Sequence, residues 1–550
     1  MLLDLPTEIL LSAIAQGLGP RDALSLASTC RSLHEICYSL PVWLNIAQTI
    51  SQIHPLPLPA FKTLDTLSLP ELVAVCGKHT ELLESTSRFP MLEPRHCRLE
   101  ISGQGLGGLG GVHHFAFLPG GRYLIILHVN GVFTCWDILQ GTGVRLVEFV
   151  TGGVAVSWNF QTDPNTTEAM VVLVTMRLGT YQLDILRLEF SPDEVVQLTL
   201  TKLATVPAPF ECVRIHIQDN LICSSGASNG GTLLLFVLDP IDNRQVLIDT
   251  TISEKPEKWD SFTHLPYGIM LYREDQDRAH TFWYDDARTL LETKQLGQPD
   301  AGSAWSRTIR RPDGSKIYNF DDDCVLSAIR QIYFVGHPWN TPIRSRDKAV
   351  SIISFSQGEG TRPGATQLEI EQYDDGHGSY PTHRTITQYW LNSAHLVSSL
   401  PPSEEESPLP SQVKDVSPPL RRWIHHIPFD GLASNEEGND LISIGSHGTH
   451  LVWIWEDTST YLKTGQWPNR LRLSIATLLP TGRGSERDYP SEAVIRGICV
   501  DQDGTSGIDF TGVRTMDMED SHGIIGLAMY PEVDSAPDGT DLVYVHLLYL

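Results

Sequence analysis

The chain has 550 residues and 61.1 kDa, 41% of them hydrophobic, which is too long for one compact core, so two or more modules are expected. Forty Lys and Arg against 66 Asp and Glu leave a net charge of −26. No cationic block interrupts that excess, which argues against any role driven by attraction to nucleic-acid phosphates.

The amino end has helical spacing. Pro6 suits a first helical turn, where its missing N–H costs nothing, and Ile9, Leu10, Ala13 and Ile14 then recur on one face up to Gly17 to Gly19. A second helix is predicted from about Pro20. It has Asp22 at the positive end of its dipole and carries Ala23, Leu26, Cys30, Leu33 and Cys37 at three-to-four-residue spacing. Pro41 opens a third, short helix with Trp43 and Ile46. So small a unit hides only part of its apolar surface from water. Leu2, Leu3 and Leu5 stand outside any predicted helix, and an exposed apolar patch of this kind marks an interaction site.

The string LPTEIL at 5 to 10, then Asp22, Leu24, Leu26, the C-R-x-L of Cys30 to Leu33, and Trp43 after Pro41 resemble the F-box over roughly residues 2 to 48. The resemblance implies docking on a Skp-type adaptor that connects to a cullin, forming an SCF-type ubiquitin ligase. It also implies the contacts. Leu5 and Pro6 match the pair that enters the adaptor's groove, Ile9 and Leu10 match contacts of the first helix, and Leu24, Leu26, Cys30 and Leu33 match those of the second. Trp43 matches the closing aromatic, and Leu33 stands where many members have Trp or Phe. Each buried aliphatic side chain is worth roughly 1.5 to 3 kcal/mol before ordering costs, so a handful suffices to anchor a complex.

Pro55, Pro57 and Pro59 stiffen the next segment, and Pro70 opens a further helix with Leu72, Val73, Cys76, Leu82 and Leu83, ending before Arg88 to Pro90. From about residue 96 the period becomes alternating. RYLIILHV (122 to 129), VFTCWDI (132 to 138), VRLVEFV (144 to 150) and MVVLVTM (170 to 176) read as strands. Pro119-Gly120-Gly121, Asn130-Gly131 and Gly141 to Gly143 supply the positive backbone angles of tight hairpins. Comparable groupings recur to the end of the chain, and ~40 to 50 residues per blade accommodates six to eight propeller blades over this length. The fold expected is mainly β: a three-helix F-box over 1–50, a Pro-containing helical linker over 51–95, and a β-propeller of about seven degenerate blades over 96–550. The Trp136-Asp137 strand ending is similar to the WD-repeat dipeptide but does not recur at strand ends, so blades are expected without that pedigree. The final strand, DLVYVHLLYL, is expected to complete a sheet begun near residue 96. Residues 401–419, rich in Pro, Ser and acids, are expected to be a disordered insertion between blades, and 357–384 another loop.

Chemistry-bearing patterns are few. Gly103, Gly105 and Gly108 fit G-x-G-x-x-G by count but precede a strand rather than a helix. His113-His114 and His425-His426 alternate faces on strands, and neither Asp321 to Asp323 nor Asp501 with Asp503 follows calcium-loop spacing. The nine Cys never form C-x-x-C and sit mostly among aliphatic residues, as buried thiols of a reducing compartment do. No stretch approaches the ~18 apolar residues of a spanning helix. Arg21 is the first basic residue, so no secretory leader, no membrane partner and a cytoplasmic or nuclear location are expected. No cofactor, metal or catalytic residue is expected. Arg310, Arg311, Arg344, Arg346, Arg421 and Arg422 stand out against the acidic background as candidates to clamp an acidic or phosphorylated target segment.

Taken together, these readings point to a non-catalytic substrate receptor: the head holds adaptor and cullin, and one propeller face holds an unidentified target protein. Two other readings stay open. One is a scaffold without ubiquitin transfer, and the other is a propeller enzyme or ligand sensor with an appended head.

Overall fold

A computed structural model of the chain describes most of residues 18–253 with their side chains, together with much of 442–477 and 508–550. Between 254 and 441 it describes chiefly the backbone of β-strands. The predicted first helix, the Gly103 to Gly108 loop, Asp321 to Asp323, the 357–365 and 370–383 parts of the 357–384 loop, the 401–419 insertion, and Asp501 with Asp503 lie outside the described residues.

Among the described residues of the head, three helices follow one another: α1 (Pro20–Ala27), α2 (Arg31–Cys37) and α3 (Leu40–Ser51). The single helix expected over 20 to 37 is two. At the break, Ser28 Oγ donates to Ser25 O and Thr29 Oγ1 to Leu26 O, both at 2.7 Å. Hydroxyls that bond back to the preceding turn offer the chain an alternative to continuing the helix. Cys30 then has extended backbone and α2 starts afresh.

Helix α4 (Leu69–Arg88) begins where S-x-x-E chemistry dictates. The Ser68 backbone N–H donates to Glu71 Oε2 at 2.8 Å and its hydroxyl to the same oxygen at 2.7 Å. Lys62 also pairs with Glu71, and this bond, followed by those from Ser68, holds the Glu71 carboxyl down at about 2. Head and linker share one core: Ala23, Ala27, Cys37, Val42, Trp43, Ile46 and Ala47 pack with Leu56, Leu64, Leu67, Leu72, Val75 and Cys76. Ala23 is fully buried, and such a small side chain lets α1 approach α4, where Arg21 pairs with Glu84.

The described strands form seven sheets, each in the main an antiparallel meander. The first holds Val112–Phe117, Tyr123–His128, Val132–Asp137 and Val144–Val150. The second holds Val154–Thr162, Glu168–Arg177, Thr180–Phe190 and Leu198–Pro207. The third runs from Arg214–Gln218 to Arg244–Ser253 and adds Thr308–Arg310 at its edge, and the fourth starts at Asp260–Leu265. The fifth starts at Ile329–Gly336 and the sixth at Ile442–Ile444. The seventh holds Val513–Glu519, Ile524–Met529 and Val543–Tyr549.

First strands of neighbouring sheets touch: Val154–Thr162 meets Arg214–Gln218, which meets Asp260–Leu265, which meets Ile329–Gly336. Ile442–Ile444 meets Val513–Glu519, which returns to Val112–Phe117. This is a propeller-like arrangement of blades around an axis lined by first strands. Arg95–Ile101 supplies the fourth strand of the seventh sheet, antiparallel to Val543–Tyr549, so the two ends of the body are paired as expected. Adjacent sheets bury both faces of the strands between them, which is why every residue of Tyr123–His128 is buried.

The linker is fastened to this body at defined turns. Ala60 lies against Gly120, where an added Cβ would fall 2.4 Å from the Ala60 Cα. Phe61, in left-handed backbone at φ 59°, packs its ring at a tilt against those of Phe190 and Tyr123. Leu82 of α4 covers Gly523, whose φ is +65° and whose added Cβ would lie 2.7 Å from Leu82 Cδ1.

Candidate functional site

Leu5, Pro6, Ile9 and Leu10 lie outside the described residues. Of the remaining adaptor candidates, Leu24 on α1 is 39% exposed, Cys30 in the α1–α2 break is exposed, and Leu26 is half-buried. Leu33 and Trp43 are 7% and 1% exposed and face inward. Trp43 is thus part of the core shared with the linker, and its contribution is to hold α3 against α4 rather than to offer a surface. Two further exposed apolar residues of the described head escaped the helical spacing, Tyr38, which caps α2, and Leu40, which opens α3, because the period of neither helix extends across the junction. The Tyr38 ring stacks on His34 at 5.2 Å and meets Trp43 edge-on at 6.4 Å, which fixes its direction.

The arginine candidates are spread over the body. Arg310 pairs with Asp249 in register at the edge of the third sheet, and Arg421 and Arg422 oppose Trp390 and Tyr389 in the fifth. Arg311, Arg344 and Arg346 lie outside the described residues. The backbone therefore places Arg310 apart from the Arg421-Arg422 pair, on different sheets.

One turn assembles the side-chain types of a nucleophile relay. Glu519 and Ser521 are 2% and 3% exposed. The Ser521 hydroxyl donates to Glu519 Oε1, and the His522 backbone N–H donates to Glu519 Oε2 at 2.7 Å. Serine and carboxylate both face the same ring nitrogen, His522 Nδ1, at 2.9 and 3.2 Å. A relay needs the hydroxyl on one nitrogen and the acid on the other, so this set closes a turn instead. The turn also meets α4, where partial desolvation pulls the Lys78 ammonium below its ordinary value while Glu519 pulls it up. Among the described residues no group of three or more His, Cys, Asp or Glu is placed to hold a metal ion.

A buried carboxylate stands in the second sheet. Asp184, fully buried, takes Lys202 Nζ at 2.7 Å and the Thr205 hydroxyl at 2.7 Å, with Arg177 Nη2 at 3.8 Å. At the seam joining the ends of the body, His96 Nε2 and His546 Nδ1 are 2.8 Å apart and the rings stack at 5.0 Å. Burial lowers both imidazoles, that of His546 to about 4, with His96 and Arg98 pushing the same way.

Residues 2–49 match the F-box-like family model. No curated protein matches the chain. Among solved structures, the WD40 domain of SCAP from fission yeast is similar at 9% identity and a TM-score of 0.36, over 80% of this chain and 82% of that one. The Myceliophteria thermophila Cps50 (Swd1) β-propeller domain has the same identity and TM-score over 80% and 97%. A chain of the mitotic checkpoint complex matches at 12% identity and a TM-score of 0.35, over 84% and 93%. The chain therefore joins a head that matches the F-box-like model to a mostly β body whose own strand pairing is propeller-like.

Proposed function

We propose that the chain is the substrate-recognition subunit of an SCF-type cullin ubiquitin ligase. The observation that carries the reading is the F-box-like match over residues 2–49, joined through one continuous core to α4 and so to the body. Leu5, Pro6, Ile9, Leu10, Leu24, Leu26 and Cys30 supply the adaptor contact. Leu33 and Trp43 support it from inside. The body, read as seven blades, presents a target protein on one face. The chain itself catalyses nothing and needs no cofactor: a recruited conjugating enzyme passes ubiquitin to a target lysine, and the receptor raises that lysine's effective concentration near the thioester. Work of this kind belongs to the cytoplasm or nucleus.

A fixed linker matters to such a device, because proximity is useful only when the geometry permits simultaneous engagement. The test is co-purification of the full chain with a Skp-type adaptor and a cullin. Recovery should fall to background in Leu5→Ala/Pro6→Ala. Equal recovery from that double variant would refute the groove contact.

A further inference from the structure

One corner of the body leaves apolar side chains in water. Val150, Val154, Met176 and Leu178 are 56%, 49%, 38% and 106% exposed. They are neighbours: Val154 opposes Met176 in register, Leu178 follows in the adjoining turn, and Val150 precedes the Gly152-Gly153 loop that packs against Arg177.

Leu178 is unexplained by its hairpin. It and Gly179 form a two-residue turn with φ of 50° and 78°, a geometry that takes Asn or Asp before Gly. A leucine there holds left-handed backbone and leaves its whole side chain in water. Asn would relieve both costs, and a residue that breaks local rules without local gain marks a functional position.

Charge and position add to this. Asp184 faces both Lys202 and Arg177, so one carboxylate meets two cations and a positive charge is left over. The Arg177 side chain keeps a third of its exposure, and it lies beside the patch on a chain of net charge −26. The linker holds Tyr123 and Phe190 at one end of their strands, whereas Asn130-Gly131 and Leu178-Gly179 turn at the other. At ~3.3 Å per residue the strand Thr180–Phe190 separates Leu178 from the linker by about 35 Å.

We infer that this corner is a docking surface for a client segment that carries apolar side chains beside a carboxylate. Leu178, Val154 and Met176 take the apolar side chains and Arg177 takes the acid. The inference rests on the receptor reading only in naming the occupant a client. Selection of phage-displayed random 12-residue peptides on the full chain, with adaptor recovery measured separately, tests it. Enriched peptides should carry Leu, Ile or Phe next to Asp or Glu. By fluorescence anisotropy they should bind the Leu178→Asn variant about tenfold or more weakly, with adaptor binding unchanged and the melting temperature no lower. Selection of no such pattern, or equal binding by Leu178→Asn, overturns the proposal. So does a dimer in sedimentation that Leu178→Asn dissolves, since the occupant would then be a second copy. Peptide binding by a chain that fails to recover the adaptor would sink the receptor reading and leave this surface standing.

Discussion

The ring of Phe61 sits 4.7 Å from that of Phe190, a contact between the linker and the second sheet made by a residue in left-handed backbone. Phe61→Ala should weaken docking by about 1–3 kcal/mol, less than for a fully buried ring because Phe61 is only half-buried. Limited proteolysis over 51–69 should accelerate while the β body keeps its melting transition. Leu82→Ala, which removes the α4 side chain that covers Gly523, should do the same from the other attachment point. Unchanged cleavage in both variants would mean that the head is held elsewhere.

Leu24 and Trp43 should separate surface from core. Leu24→Asp alters an exposed position and should change stability by no more than about 0.5 kcal/mol while reducing adaptor capture. Trp43→Ala empties the shared core and should cost about 3–5 kcal/mol. Chemical denaturation of both variants, alongside adaptor pull-down, checks the contrast.

The His96 and His546 imidazoles are held below their ordinary value, His546 at about 4. The unfolded chain therefore binds protons that the folded seam refuses, and stability rises with pH between those values. The His546 contribution is complete above about pH 6.5 and is lost on descending toward pH 4, about 3 kcal/mol for a shift of that size, and His96 acts in the same direction. Melting temperatures from pH 7.5 to 4.5 should fall accordingly, and His546→Leu should flatten that slope.

Thiol labelling offers a map of burial. Cys30 is exposed, whereas Cys76, Cys135 and Cys223 are buried with their thiols pushed up by desolvation, Cys76 to about 12. Iodoacetamide followed by peptide mass mapping should modify Cys30 on the native chain and the other three only after unfolding.

Much of the body is legible in the chain because hairpin chemistry is local. Asn130-Gly131 and Pro119-Gly120-Gly121 announce turns, and the structure turns there with Gly131 and Gly120 at positive φ. The break between α1 and α2 is not legible, since Leu26, Cys30 and Leu33 keep helical spacing across it and two hydroxyl bonds decide the matter. Attachment of the linker is invisible for a different reason. Ala60, Phe61 and Leu82 meet Gly120, Phe190 and Gly523 across long stretches of chain, and no spacing rule reports contacts of that range. For the head, pattern separates helix from loop but not inside from outside: Leu24 and Trp43 both match the F-box string, yet one faces water and the other the core.

Pairing the strand Arg95–Ile101 with Val543–Tyr549 also sets a timetable for biosynthesis. His96 must wait for His546, 450 positions later, and at ~5–20 residues per second of translation that delay is roughly 20–90 s. Throughout it the early strand hangs unpartnered from the ribosome, so nascent chains of this protein should depend on chaperones until Val543–Tyr549 has emerged, and chains stopped before that strand should be cleared as misfolded.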